Sequence, residues 1–263
     1  MYSFDYHRPN SVADAVKLLA EHEEAKILAG GQTLLPTLKM RLAQPSDLID
    51  LGGIAELRGI KVTAGAVSIG ATTRHVEVAF SPEVGKAIPA LAKLAGGIGD
   101  PQVSNRGTIG GSLANSDPAA DYPAAVLGLG ASLQTNKRTI AADKFFTGMF
   151  ETALEPGEIL TRIEFPVPEK AAYVKFANPA SRYAIVGVFV AKTASGVRVA
   201  VTGASGSVFR WTAAEKALGG SLAASALASL KADAKGLNAD IHASAEYRAH
   251  LIGVMTQRAV AAL

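Results

Sequence analysis

The 263-residue chain has no cysteine. Disulfides, thiolate zinc sites, thiolate-held iron–sulfur clusters and a cysteine nucleophile are therefore excluded from it. Aromatic residues are sparse, at 6% with one tryptophan, and 26 Lys and Arg against 23 Asp and Glu leave a net charge of only +3. A balance that mild, without a basic run or an aromatic ladder, gives no footprint for nucleic acid. No apolar run reaches the roughly 18 residues of a membrane-spanning helix. Met1-Tyr2-Ser3-Phe4-Asp5-Tyr6 has neither the basic nor the apolar region of a secretory signal, so the expected location is cytoplasmic. Familiar phosphate-binding signatures are missing as well. There is no Walker A sequence, and Gly97-Ile98-Gly99 and Gly128-Leu129-Gly130 both lack the third glycine of a dinucleotide fingerprint. His7, His22, His75, His242 and His250 stand at no metal-ligand spacing. They read as surface or packing residues, and no metal is expected.

What remains is an ordinary globular composition, 49% hydrophobic and 19% charged, with mass for two or three subdomains. Ser11 and Asp14 form an acidic capping box ahead of a helix. Short strands are expected at 25–29 and 47–51, with a helix at 34–42 between them. Further strands are expected at 57–60 and 66–70, and a short helix to Ala79 capped by Thr72 or Thr73. One helix is expected over 82–95 and another over 119–129, then a hairpin at 131–140 and a strand at 159–165. Pro166-Val167-Pro168 is the strongest linker signal. Three strands follow, at 172–176, 184–193 and 197–202, then helices at 212–218, 222–232 and 244–261. The chain thus reads as α+β, divided into units 1–55, 56–167 and 168–263.

Two stretches are built for a ligand. Ala29-Gly30-Gly31-Gln32-Thr33 ends a strand in a glycine pair and opens a helix, which presents free N–H groups and the positive end of a dipole. The stretch from Ser104 to Pro123 is dense in small and hydrogen-bonding residues. Within it Gly107, Gly110 and Gly111 permit close approach, and Ile109 anchors the glycines to the core. Thr108, Ser112, Asn115, Ser116 and Asp121 offer hydroxyls, an amide and a carboxylate. Asp117, ahead of Pro118, reads as the N-cap of the next helix, which leaves Asp121 in its first turn as a ligand group. The two stretches are expected to clamp a dinucleotide from opposite sides.

Ala29-Gly30-Gly31-Gln32-Thr33-Leu34-Leu35-Pro36 with Asp47-Leu48-Ile49-Asp50-Leu51 resembles the first FAD motif of the flavin-carrying medium subunits of the molybdenum hydroxylases. That family includes the carbon monoxide dehydrogenase medium subunit and the flavin domain of xanthine dehydrogenase. Arg106-Gly107-Thr108-Ile109-Gly110-Gly111-Ser112-Leu113-Ala114 with Asp117-Pro118-Ala119-Ala120-Asp121 resembles the second motif. The likeness covers essentially the whole chain. It implies the two-domain FAD-binding fold of the vanillyl-alcohol oxidase type, plus a C-terminal three-stranded antiparallel sheet with helices. It also implies that Ala29, Gly30, Gly31, Gln32, Thr33 and Leu34 hold the pyrophosphate. Thr108, Ile109, Gly110, Gly111 and Asn115 would surround the ribityl, pyrophosphate and adenosine portions, with Asp121 on the adenosine side and Ile98 against the adenine. Leu160 and Lys175 align with further flavin contacts, and Tyr183 with an aromatic beside the isoalloxazine. Ser181-Arg182 stands where the family often has Gly-Asp. An Arg182 turned toward the flavin would raise its potential, and one turned outward would serve a subunit interface.

The implied function is electron transfer. A large partner subunit would carry molybdopterin and a small one the [2Fe-2S] clusters, in a dimer of heterotrimers, and FAD here would pass electrons to an acceptor that the sequence does not name. No catalytic acid or base is evident. Two other readings stand beside it: a self-contained FAD reductase of the same fold, like the enolpyruvyl reductase of cell-wall synthesis, and a non-catalytic nucleotide-binding subunit.

Overall fold

The computed structural model describes residues 1–263. The chain opens with a parallel sheet in the order β1-β3-β2, made of β1 (Asp5–His7), β2 (Lys26–Leu28) and β3 (Asp47–Asp50). Parallel strands need crossovers, and α1 (Val12–Glu21) and α2 (Leu34–Lys39) supply them. Ser11 Oγ caps α1 by accepting from the Asp14 amide at 3.1 Å. Short 3₁₀ turns over 51–57 lead into the second unit.

Its sheet is antiparallel, ordered β4-β5-β10-β6-β7. The strands are β4 (Ile60–Val62), β5 (Ala66–Gly70), β6 (Ser132–Thr135), β7 (Thr139–Ala141) and β10 (Leu160–Pro166). Between β5 and β6 run six short helices: α3 (His75–Ala79), α4 (Pro82–Ala87), α5 (Pro89–Gly96), α6 (Pro101–Ser104), α7 (Ile109–Asn115) and α8 (Tyr122–Leu129). α9 (Ala142–Phe145) and the hairpin of β8 (Phe146–Gly148) and β9 (Glu151–Thr152) fill the return to β10. Every residue of α8 is buried, so this helix is a core element and not an amphipathic one.

The last unit is a sheet ordered β11-β12-β13-β14, with β11 (Lys170–Ala177), β12 (Ala184–Thr193), β13 (Gly196–Thr202) and β14 (Phe209–Arg210). α10 (Thr212–Gly220) and α11 (Ala245–Ala261) follow. The expected three strands are present, and β14 adds a two-residue edge beside β13. β12 is buried on both faces. Val186, Val188 and Val190 join the core under α10 and α11, while Phe189 and Ala191 join the core of the preceding unit. The period-2 alternation of a strand thus serves two cores at once.

Several expected elements move. The 82–95 helix is two, because Pro89 has no N–H to donate and Ile88 turns out of helical geometry at φ −139°, ψ 77°. Arg74 and not a threonine precedes α3, and the Thr73 hydroxyl instead bonds the Gly59 amide at 3.0 Å. Asp117 does not cap α8. Its carboxylate takes the Ala119 amide at 2.8 Å in a local turn, and the helix waits until Tyr122. The strand expected at 57–60 lies at Ile60–Val62. The helix expected at 222–232 reduces to a 3₁₀ turn at Ala224–Leu227, since Leu227 alone is buried there and one anchor does not support a longer helix. The glycine-rich stretch is partly helical, with Ile109–Asn115 forming α7.

Candidate functional site

The strand β2 ends at Leu28, and the chain turns through Ala29 to Thr33 before α2. Gly31 adopts φ +71°, which a side chain would strain. Across this turn, the backbone amides of Gly30, Gly31, Gln32, Thr33 and Leu34 donate to nothing within the chain, while the Gln32 side chain reaches back to the Gly30 carbonyl at 3.4 Å. A row of unspent N–H groups at the end of a strand is an anion cradle.

The second stretch presses directly on it. A Cβ at Gly30 would lie 2.4 Å from the Arg106 carbonyl oxygen and 2.7 Å from Gly107 Cα, so only glycine lets the two backbones meet there. Yet the second stretch spends its amides on the fold. Gly107 donates to Val103 O, Ile109 to Thr73 O, Gly110 to Ala71 O and Ser112 to Thr108 O. Thr108 is buried, and its hydroxyl caps α7 by accepting from Gly111 at 3.1 Å. The two stretches therefore form a cradle and a wall, not two equal jaws. Gly110 belongs to the wall: a Cβ there would sit 2.6 Å from the Ala71 carbonyl.

Between them lies an apolar pocket lined by Ala29, Gly110, Gly111, Ala114, Leu154 and Leu160, among others. The structure thus gathers Ala29, Gly110, Gly111 and Leu160 from three separate parts of the sequence. Ile109 is fully buried beneath. Asn115 makes no side-chain hydrogen bond within the chain and remains free to bind. Ala114 was missed by the sequence reading. Its position three residues after Gly111 was the available signal, because that spacing shares a helix face.

Glu158 also reaches this pocket. Arg138 Nε donates to it at 3.0 Å and the Thr135 hydroxyl at 2.7 Å. The Arg138 guanidinium holds the Glu158 carboxyl at about 2.

A second gathering lies where α5, α8 and β11 meet. Lys175 Nζ donates to the Gly97 carbonyl at 2.8 Å and pairs with Asp121 at 2.9 Å. Ile98, next to Gly97, packs against the main core. Asp121 and Lys175, far apart in sequence, are thus joined, and the bond to Gly97 sets the residue before Ile98 beside them. Asp121 is only 5% exposed, and the Tyr173 hydroxyl also donates to it at 2.5 Å. Burial pushes its carboxyl up, while Lys175 opposes the shift. Asp121, expected as a ligand group on the adenosine side, gives much of its hydrogen-bonding capacity to Tyr173 and Lys175.

Tyr183 stands apart, in the turn from β11 to β12. Its hydroxyl accepts from Asn178 Nδ2 at 2.9 Å, and its ring meets that of His242 edge-on at 6.2 Å. Arg182 beside it is exposed, adopts φ +60° and makes no ion pair.

Residues 2–168 match the family model described as the FAD binding domain in molybdopterin dehydrogenase. The chain belongs to this family. Residues 171–263 match the CO dehydrogenase flavoprotein C-terminal domain. The nicotine 6-hydroxylase medium subunit of Paenarthrobacter nicotinovorans is 39% identical over 97% of this chain and 95% of its own length. The carbon monoxide dehydrogenase medium chain of Afipia carboxidovorans is 39% identical over 98% of this chain and 96% of its own. The solved structure of reconstituted CO dehydrogenase from Oligotropha carboxidovorans superposes with a TM-score of 0.92 at 38% identity, covering 99% of this chain and 97% of that one. FAD is the cofactor of the family, and the residues present fit it. The unspent amides suit a pyrophosphate, the glycine contact at Gly30 leaves the backbone bare, and the adjoining pocket is apolar. No helix is long and apolar enough to cross a membrane.

Proposed function

We propose that the chain is the FAD-carrying electron-transfer subunit of a molybdenum-containing hydroxylase or dehydrogenase. It works beside a large molybdopterin subunit and a small [2Fe-2S] subunit, as two paired heterotrimers, and delivers electrons to an external acceptor. Relatives along the whole chain are medium subunits of such enzymes. The absence of cysteine agrees with clusters housed elsewhere.

The observation that carries the reading is the row of free amides from Gly30 to Leu34 pressed against Arg106 and Gly107. Those amides hold the pyrophosphate without a side-chain cation. Ala29, Ala114 and Leu160 exclude water beside them. Ile98 and Asp121 form the adenosine end, with Lys175 joined to Asp121 as a further contact, and Tyr183 flanks the isoalloxazine. When bound, FAD supplies the redox chemistry that accepts electrons singly from the clusters and releases them to the acceptor. Glu158 is the one titratable side chain lining the pocket. Glu158 is clamped by Arg138 at about 2 and stays ionised near neutral pH, which disfavours a self-contained reductase needing its own acid. Arg182, exposed and unpaired, is placed for a protein contact.

The test is Ala114→Leu. Ala114 is exposed at the pocket wall, so the substitution leaves the core intact and fills the cleft. The wild-type chain is expected to bind about one FAD, and the variant to bind it roughly tenfold or more weakly with unchanged circular dichroism. Equal flavin titrations for both proteins would remove the pocket from the site.

A further inference from the structure

His7, His22 and Asp47 are separated in sequence and meet in space. His7 ends β1, His22 is the C-cap of α1 and Asp47 opens β3. Pairing of β1 with β3 sets Asp5 opposite Asp47, with His7 two residues further along, and the end of α1 delivers His22 to the same place. His7 Nε2 lies 2.6 Å from Asp47 Oδ1, and His22 Nδ1 lies 3.2 Å from Asp47 Oδ2. The imidazole rings are 5.0 Å apart between centroids. One ligand-capable atom from each residue falls within 4.8 Å of the other two.

Two imidazole nitrogens and a carboxylate oxygen are the donors that borderline divalent metals prefer. An ion bonded to each at about 2.0–2.2 Å leaves its donors about 3.3 Å apart. His22 Nδ1 stands 3.2 Å from Asp47 Oδ2, close to that value, whereas His7 Nε2 faces the other carboxylate oxygen at 2.6 Å and must draw back for an ion to sit between the rings and the carboxylate. Asp47 has a side chain only 5% exposed, whereas those of His7 and His22 are 27% and 34% exposed. The carboxylate is thus fixed from below, and the imidazoles border solvent, from which an ion and its remaining water ligands can enter. The second nitrogen of each ring has no partner within the chain, so both rings are free to adjust.

We propose that His7, His22 and Asp47 bind a divalent transition metal of the zinc class, and that the ion pins β1 and the end of α1 onto β3. The role is structural. β3 runs away from the ion, and Leu51, which lines the apolar pocket, lies about 13 Å along the strand from Asp47. The metal site therefore steadies the sheet that carries the Gly30–Gly31 turn without touching the pocket.

The experiment uses the untagged full-length chain, stripped with chelator, exposed to excess Zn²⁺ and passed through gel filtration before metal analysis. About one zinc per chain is expected in the wild type, with a thermal midpoint a few degrees above that of the stripped protein. His7→Ala and His22→Ala change half-exposed side chains and should keep the fold and the flavin. Each should lose both the retained zinc and the thermal shift. Co²⁺ in place of Zn²⁺ should give visible bands to the red of flavin absorption in the wild type only. A wild type that retains no zinc and shows no shift overturns the site, as does equal zinc retention in both variants. Neither result bears on flavin binding, which is read separately from the 450 nm region.

Discussion

His75 enters the core at the start of α3, where its ring lies 5.4 Å from that of Tyr122. Its Nδ1 and the Tyr122 hydroxyl are both buried without partners. Burial pushes the His75 imidazole down to about 4 from 6.5. The folded state therefore favours the neutral ring, and the unfolded chain takes up a proton first. Stability is full above about pH 6.5 and falls as the pH drops to about 4, by about 3 kcal/mol for this one group. In His75→Leu that part of the slope should vanish, which urea midpoints measured from pH 7 to pH 4 will report. The wild-type dependence surviving unchanged would place the titration elsewhere. Glu158 adds to the same acid sensitivity by a different cause, the Arg138 guanidinium favouring its charged form. Its depressed carboxyl lends stability above about 4.5, and that is lost as the pH falls toward 2.

At the scale of elements, the turn joining β11 to β12 is closed by backbone bonds from Asn178 to Tyr183 and from Arg182 to Asn178, and the Asn178 side chain reinforces it. Asn178 Oδ1 accepts from the Ala180 amide at 2.8 Å, and its Nδ2 donates to the Tyr183 hydroxyl. Within that turn Arg182 occupies the left-handed region at φ +60°, which costs a side-chain-bearing residue roughly 1–2 kcal/mol. Arg182→Gly should relieve the strain and raise stability by about 1 kcal/mol in urea titration. Flavin binding should be unchanged, because the proposed role of Arg182 is a subunit contact and not a flavin contact. A fall in stability would mean that Arg182 makes a stabilising contact beyond the turn. Asn178→Ala should have the contrary effect, freeing Tyr183 and lowering the flavin's affinity, as seen by fluorescence titration.

The whole molecule folds around cores that ignore the sequence punctuation at Pro166-Val167-Pro168. The largest, of 30 buried residues, joins Tyr122, Leu133 and Phe165 to Tyr173, Phe189 and Ala200. A second, of 18, lies between the last sheet and α10 and α11, and contains Trp211. Phe189 belongs to the larger core, but β12 also carries Val186, Val188 and Val190 of the smaller one, so weakening that strand should loosen both. Phe189→Ala should cost about 3–5 kcal/mol. Trp211 reports on the C-terminal core and bound flavin on the pocket, so the two signals should be lost together in thermal unfolding. Separate transitions would show that the last unit is stable without its neighbour.

The glycine turn at Ala29 to Thr33, the cap at Ser11, the strands around Ser195-Gly196 and the final helix were all legible in the amino-acid order. Each is set by local chemistry: backbone freedom, a hydroxyl at a helix start, or apolar periodicity. The family was legible for the same reason, since its motifs are contiguous. Local order had no means of apportioning hydrogen bonds. Gly110 and Gly30 look alike in sequence, yet the Gly110 amide is taken by Ala71 while that of Gly30 is left free. Asp121 was legible as a polar residue in a promising place, but its neighbours Tyr173 and Lys175 come from a strand in another unit. The His7–His22–Asp47 cluster had no spacing to betray it, because the pairing of β1 with β3 and the docking of the end of α1 assemble it. Sequence determined which backbones can bend and where helices start. Tertiary packing decided which polar groups remain unspent, because that depends on the partners each group finds.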